Sequence, residues 1–433
     1  MEDPGTRDRL SRFLKSGIYR FENSAAIFID PVRVLNGSYT RFRVSPTAYY
    51  SRFFEDESTS TNSIENTPEA PPDTRKRKRK KQRKPRPLNE TEQIAQQRHQ
   101  EARPLLLKAH ETLLGTIELL AYLRRLRSDR CTEEEGRESL VKRDAIELNF
   151  VELGSVWQAP YYEISLNFDQ DKIFTQDGGN PLIPCCKQIL VPVFNNFVVN
   201  DGDSDLEAEL LEHNYIIPRK SCFYMSDLKE IHNLVPVESD GGFNFILIDP
   251  PWENSSAYQK LKYQTLPNYY FLSLPIKKLT HTDGALIALW VTNREKLRRF
   301  VENELFPAWG VKYAATFYWL KVKPDGSLIS ELDLFHHRPY ECLVLGYCYQ
   351  KDIDLLGHNP VPDNQVFISV PGDYSRKPPV GDLLLEYVPG SRHACRLELF
   401  ARELSDGWNC WGNEPLHFQG TKYFLKRRKI DGT

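Results

Sequence analysis

Asp249-Pro250-Pro251-Trp252 closes the apolar run FNFILID (243–249). Two consecutive prolines forbid both continued sheet and immediate helix, so the chain delivers an acid on a stiff loop at the end of a buried strand. Asp249 can accept a hydrogen bond from an amine, and the Pro250 carbonyl can accept a second although Pro250 has no N–H. Two acceptors converging on one NH2 group suit an aromatic amine such as the exocyclic nitrogen of adenine. Its lone pair is delocalised into the ring, and bonding both hydrogens favours a more tetrahedral, more nucleophilic nitrogen. The prolines set the loop geometry before substrate arrives. Trp252, with Pro251, offers a flat apolar surface on which a base can stack. The plainer alternative is a rigid turn over a buried tryptophan.

The elements that must position this loop read as alternating strand and helix from about residue 215 onward. FNFILID, GALIALWVT (284–292), KYAATFYWLKV (312–322), ECLVLGYC (341–348) and RLELFA (396–401) are short apolar runs fit for strands buried on both faces. NREKLRRFVENELF (293–306), with Thr292 or Asn293 as N-cap, and PPVGDLLLEYV (378–388) read as helices between them. That alternation predicts an α/β fold with a mainly parallel sheet covered on both sides. In such sheets ligands bind outside the carboxyl ends of the strands, which is where Asp249 falls.

The 433-residue chain divides by composition into four parts. Residues 1–54 are aromatic and strand-rich. Residues 55–88 are an acidic, Ser/Thr/Pro-rich stretch running into a basic block, with almost nothing to bury, and read as a disordered linker. Residues 89–204 combine a long helical run, which Pro104 is expected to break or kink, a second charged helix near 133–146 and extended segments at EISLNF and KQILVPVFNNFVV. Residues 205–433 hold the α/β unit. The block RKRKRKKQRKPR (75–86) carries ten basic residues and no acid against a net charge of −2; it reads as a nuclear-import signal, with non-specific RNA attachment as a second reading that can coexist with it, and the rest of the chain is acidic. Nucleic-acid binding must therefore use local patches such as Arg294, Lys296, Arg298 and Arg299, Lys321 and Lys323, or the tail 426–429. No apolar stretch approaches the roughly 20 residues of a membrane span, so no membrane partner is expected. The eight cysteines show no paired zinc spacing and read as reduced, mostly buried thiols. No metal is expected.

The Asp249 motif is similar to the catalytic signature of the MT-A family of adenine-N6 methyltransferases, the type of the 70-kDa subunit of the mRNA adenosine methyltransferase. The resemblance covers roughly residues 215–425. It includes Tyr263-Gln264-Thr265-Leu266, Leu289-Trp290-Val291-Thr292, Trp319-Leu320-Lys321, Glu341-Cys342-Leu343-Val344, Ser375-Arg376-Lys377-Pro378 and Glu398-Leu399-Phe400-Ala401-Arg402. The N-terminal GSYTRFRVSPTAYYSRFF further resembles the methyltransferase-like protein four branch. The resemblance implies a Rossmann-like class I methyltransferase sheet, with permuted motif order because RLELFAR lies far downstream and no GxGxxG follows a first strand. It implies S-adenosyl-L-methionine as cofactor and nuclear RNA as substrate class, in particular an adenosine of spliceosomal U2 small nuclear RNA already 2′-O-methylated. It implies catalysis by Asp249, Pro250, Pro251 and Trp252. Cys222 and Phe223 would offer backbone to the cofactor adenine, Lys377 would pair with the methionine carboxylate with Glu398 nearby, and Arg402, Asn413 and Glu414 would reach the ribose hydroxyls, beside Asp249.

The target adenine must be single-stranded or flipped out of a duplex. Trp252 and Tyr263 are the expected stacking partners, Lys321 a further substrate contact, and 323–340 a mobile substrate loop. Arg41, Arg43 and Arg52 lie among Tyr39, Phe42, Tyr49 and Tyr50, a mixture suited to stacking and phosphate contact. The N-terminal segment and the 89–200 region are thus expected to dock on the methyltransferase unit and extend its RNA groove, in an enzyme that needs no catalytic partner subunit. Two other readings remain: the same chemistry on DNA adenine, and a non-catalytic RNA-binding scaffold. The second leaves the retention of Asp249 without a chemical reason.

Overall fold

The computed structural model describes residues 4–22, 24–51, 88–127, 147–168, 187–236, 241–253, 265–335, 337–349, 361–373, 375–390 and 394–427. At its centre is an eleven-stranded sheet. In chain order the strands are β1 Ile18–Arg20, β2 Ala26–Ile29, β3 Phe197–Asn200, β4 Ser221–Met225, β5 Phe245–Ile248, β6 Ala285–Val291, β7 Val311–Lys321, β8 Tyr340–Cys348, β9 Val366–Ser369, β10 Arg396–Leu399 and β11 Trp408–Gly412. Across the sheet they stand as β1-β2-β9-β7-β8-β6-β5-β10-β11-β4-β3. All run one way except β1, β3 and β8. This is the α/β, mainly parallel sheet expected of a Rossmann-like methyltransferase. Every residue of β5 and β6 is buried, which explains why those runs are apolar without alternation.

The chain leaves β5 for β6 on one side, while β10 flanks β5 on the other. The crevice above the carboxyl ends of β5 and β10 is therefore a topological switch point. One side of the sheet is covered by a helix that runs Glu295–Phe300, passes through a π-helical turn at Val301–Leu305 and ends at Phe306–Trp309. Its N-cap is Arg294, not Thr292 or Asn293. The Asn293 amide instead donates to the Tyr340 carbonyl, so tertiary contact outcompetes the cap.

The segment 1–54 does not stand apart. β2 pairs in parallel with β9, matching Ala26 to Val366 and Phe28 to Ile368, and β1 extends the same edge. β3 closes the opposite edge against β4. The 204/205 boundary falls beside Leu206–Leu210, which pairs with Glu163–Phe168 in a separate four-stranded sheet. The helix Glu90–Leu114 runs through Pro104 without ending. Pro104 lies on the exposed face, while His99, Ala102, Leu106, Ala109 and Leu113 form the buried one, at the 3–4 spacing of an amphipathic helix. That stripe shares a core with Phe28, Leu320 and Ile368. The expected helix near 133–146 and nearly all of the 55–88 linker lie outside the described residues.

Candidate active site

Asp249 follows the last residue of β5, and its N–H donates to the Leu399 carbonyl on β10 at 3.3 Å. The two prolines lack N–H groups, so their carbonyls tie down the loop. The Pro250 oxygen accepts from the Trp252 N–H at 2.8 Å, and the Pro251 oxygen from the Leu266 N–H at 2.9 Å. A carbonyl has a second lone pair, so Pro250 can still accept from a substrate amine. Trp252 is only 6% exposed. Its indole N–H donates to the Trp290 carbonyl at 2.8 Å, and its ring meets Phe271 edge-on at 5.0 Å. This corrects the expected stacking surface: Trp252 is an anchor in the core that fixes the loop from beneath.

Asp249 opens a line of alternating charge. Lys377 Nζ lies 3.1 Å from Asp249 Oδ1 and 3.5 Å from Glu341 Oε2. Lys321 pairs with the other Glu341 oxygen and sits 4.3 Å above the Trp319 ring. Burial raises the Asp249 carboxyl above its ordinary pKa, and Lys377 opposes that rise. Burial also works against ionisation of Glu341, but the two lysines outweigh it and hold that carboxyl at about 2. Nothing in the sequence alone gives Glu341 a role. Its one signal is an acid near the start of a mostly buried strand.

Arg376 positions Lys377. Its guanidinium makes two hydrogen bonds to Glu403 and is stacked between Tyr49 at 4.1 Å and Phe418 at 4.3 Å. Ser375, one residue earlier, takes a left-handed φ of 64°. With Arg376 locked below, Lys377 is presented to the cleft, whose lining includes Leu247, Asp249, Trp290, Lys377, Glu398 and Arg402. Phe400, between Glu398 and Arg402, also lines it, with a φ of 62°. A bulky residue there is strained, and no propensity argument anticipates it.

Glu398 lies opposite Leu247 in the β5–β10 register. Burial, then the nearby Asp249 and Glu403 charges, push its carboxyl up to about 8, so it is largely neutral at pH 7. A carboxyl raised in the fold contributes full stability below its unfolded pKa and loses it as pH rises through the folded value. Glu398→Gln should therefore raise the melting temperature at pH 9 by several degrees and give no gain at pH 5. Equal shifts at both pH values in calorimetric scans would contradict this.

Arg402 Nε lies 2.9 Å from Glu414 Oε1, and its guanidinium is 5.0 Å from the Phe418 ring centre. Burial and then Arg402 hold His417 down to about 4, so it is neutral beside Glu414. Asn413 is exposed just after β11. Gly412 lets the end of β11 approach β10's continuation, since a Cβ there would meet the Ala401 oxygen at 2.9 Å.

The structure does not bring every expected residue to this cleft. Cys222 and Phe223 sit mid-strand in β4, paired with Asn409 and Cys410. Phe223 is fully buried, and burial pushes the Cys222 thiol up to about 11. The carboxyl end of β4 is Met225, followed by Ser226. Tyr263 and Arg52 lie outside the described residues. Arg41 precedes the strand Phe42–Val44, which pairs with Phe424–Lys426 and carries Arg43 as its middle residue opposite Leu425, and the Arg41 N–H donates to Asp205 at 2.9 Å. The aromatics around them are core: Tyr39, Phe42, Tyr49 and Tyr50 are all at most 3% exposed. Their rings are buried, so they offer no base-stacking face.

The 323–340 loop is tethered to the helix Glu90–Leu114, not a free substrate loop. Arg103 grips Asp333 with bonds of 2.7 and 2.8 Å. His99 bridges Asp333 and the Tyr340 hydroxyl at 3.1 Å each, and Arg338 reaches Gln96 at 3.0 Å. Tyr340 adjoins Glu341, so the helix braces the charged line from behind.

Residues 243–414 match the MT-A70 family model, and that interval contains every member of the charged line. Over that interval the chain is similar to the MT-A70 family. It is 39% identical to the mouse N(6)-adenine-specific methyltransferase METTL4 over 238 residues, covering 53% of this chain and 49% of the relative. The human METTL4 is 36% identical over 243 residues, 54% and 50% of the two chains. The Caenorhabditis elegans DNA N6-methyl methyltransferase is 34% identical over 241 residues, 54% and 62%. The Pyricularia oryzae N6-methyladenosine RNA methyltransferase MTA1 is 32% identical over 214 residues, 47% and 55%. The chain spans about half the length of the METTL4 relatives it matches. Among the described residues, no helix is long and apolar enough to cross a membrane, and no cluster of three His, Cys, Asp or Glu side chains is arranged to hold a metal ion.

Proposed function

We propose that this chain is an S-adenosylmethionine-dependent adenine-N6 methyltransferase that acts on RNA in the nucleus, with 2′-O-methyladenosine of U2 small nuclear RNA as its target. One observation carries the reading. Asp249 is held at the carboxyl end of β5 by two prolines and an anchored tryptophan, 3.1 Å from Lys377, inside the interval similar to the MT-A70 family.

The cleft chemistry fits the cofactor. Lys377 offers an ammonium to a carboxylate, the neutral Glu398 a hydrogen-bonding carboxyl, and Glu414 with Asn413 acceptors for a ribose diol. When bound, S-adenosylmethionine supplies an activated methyl group. The chain's own residues orient and polarise. Asp249 and the Pro250 carbonyl accept the two hydrogens of the N6 amine, and Lys377 favours the ionised form of Asp249 against burial. Asp249 is also the nearest base for the proton that the amine releases. All these groups come from one chain, which supports activity without a catalytic partner subunit.

The fungal relative's name supports RNA, and the worm relative's name supports the second reading, DNA adenine. Labelled methyl transfer to total nuclear RNA, followed by nucleoside analysis, tests the first. The expected product is N6-methylated 2′-O-methyladenosine. Competition between matched RNA and DNA oligonucleotides decides between the two, and absence of transfer to either would remove both.

Lys377→Ala should weaken S-adenosylmethionine binding by about 1–3 kcal/mol, the range of a charge-assisted hydrogen bond. It should also move the acid limb of the rate profile to higher pH, because Asp249 loses its cation. Calorimetry and a pH profile that both match wild type would remove Lys377 from the site.

A further inference from the structure

We propose that Tyr269 and Tyr270 form a stacking platform for a nucleobase flanking the target adenosine, so that single-stranded nucleic acid leaves the cleft across the Asn268–Ser273 turn. This rests on the adenine methyltransferase reading above. The two rings are stacked, with centroids 4.4 Å apart and planes at 30°. They are 61% and 42% exposed, while Phe271, the next residue, is fully buried. One short turn thus turns one aromatic inward and leaves two with open faces.

The turn is joined to the catalytic loop. The Leu266 N–H donates to the Pro251 carbonyl at 2.9 Å. The Asn268 side-chain oxygen accepts from the Glu253 N–H at 3.3 Å, and the Arg294 guanidinium donates to the Glu253 carbonyl at 3.1 Å. Phe271 meets Trp252 at 5.0 Å, and its carbonyl accepts from the Trp309 indole at 2.9 Å. The residue that anchors the motif tryptophan therefore also supports the tyrosine pair, and the two surfaces are rigid with respect to each other.

The chemistry selects a nucleobase. A tyrosine face stacks on any base, and such contacts are worth about 1–3 kcal/mol per base. Lys277 and Lys278 stand exposed on the helical turn Ile276–Leu279 that follows, positive charge suited to phosphates in a largely acidic chain.

The test uses the full chain and a single-stranded RNA oligonucleotide with one target adenosine, in a long form and in forms shortened from each end. Binding is read by fluorescence anisotropy, and kcat and KM by labelled transfer. Replacing both tyrosines by alanine should raise Kd and KM for the long oligonucleotide roughly 5–150-fold, the equivalent of one stacked base. It should leave kcat at saturation and S-adenosylmethionine affinity unchanged; the latter also verifies the fold. The double phenylalanine variant should behave as wild type. Shortening one end should abolish the difference between alanine variant and wild type. If the alanine variant binds the long oligonucleotide as wild type does while wild type transfers methyl groups, the platform is wrong and the methyltransferase reading stands. If wild type transfers methyl groups neither to these oligonucleotides nor to their DNA counterparts, both fall.

Discussion

Asp249→Ala should lower methyl transfer by about 10²–10³-fold, the usual cost of removing one preorganised polar group from a reacting centre. The fold should survive. Burial raises the Asp249 carboxyl above its ordinary pKa, so the native state gains nothing from that charge beyond its contact with Lys377. Glu341 remains to hold Lys377, 3.5 Å away. Asp249→Asn should be nearly as damaging, because its amide adds a donor where the substrate presents N–H groups. The wild-type rate should fall as pH drops through the Asp249 pKa, and the raised value places that limb above the range of an exposed aspartate. A variant that keeps more than a tenth of the wild-type rate, with unchanged cofactor affinity, would remove Asp249 from the chemistry.

The parts of this site that were legible in the sequence share a cause. β5, β6 and the Asp249 loop follow from local rules: unbroken apolar runs make doubly buried strands, and two prolines must end one. Lys377, Glu398 and Arg402 line the cleft, and resemblance reaches them because each lies inside a motif that stands whole in the sequence. What could not be read depends on distant pairing. Glu341 acquires its role only when β8 lies antiparallel beside β7 and brings it to Lys321. Arg376 matters only because Tyr49, more than 300 residues earlier in the chain, supplies one face of its aromatic slot. Trp252 and the aromatics of residues 39–50 were assigned to substrate by composition. Burial decides otherwise, since a large ring beside a buried strand is more stable in the core than in water. The mid-strand position of Cys222 shows the same limit from another direction. A position carried over by resemblance fixes the neighbourhood of a residue, not its depth along the strand.

The second large effect follows from that distant pairing. Residues 205–433, expressed alone, should not fold, although composition marks them as a self-contained unit. The cut removes β1 and β2 from one edge of the sheet and β3 from the other, leaving unpaired backbone along β9 and β4. It also removes Phe13, Phe28, Ile29, Tyr49 and Tyr50, each at most 1% exposed. Burial of those five side chains contributes about 8–15 kcal/mol at 1.5–3 kcal/mol each, as much as the whole net stability of a typical domain, about 5–15 kcal/mol. Loss of the helix Glu90–Leu114 further uncovers Leu320 and Ile368 and releases Asp333 from Arg103, beside the strand that presents Glu341. The expected result is a fragment that is insoluble or lacks a cooperative thermal transition. Co-expression with residues 1–204 should restore folding, because the missing strands pair through backbone hydrogen bonds that do not require chain continuity. A soluble 205–433 fragment that melts cooperatively and binds S-adenosylmethionine would instead make the N-terminal half an appendage, and the shared sheet edge dispensable to the site.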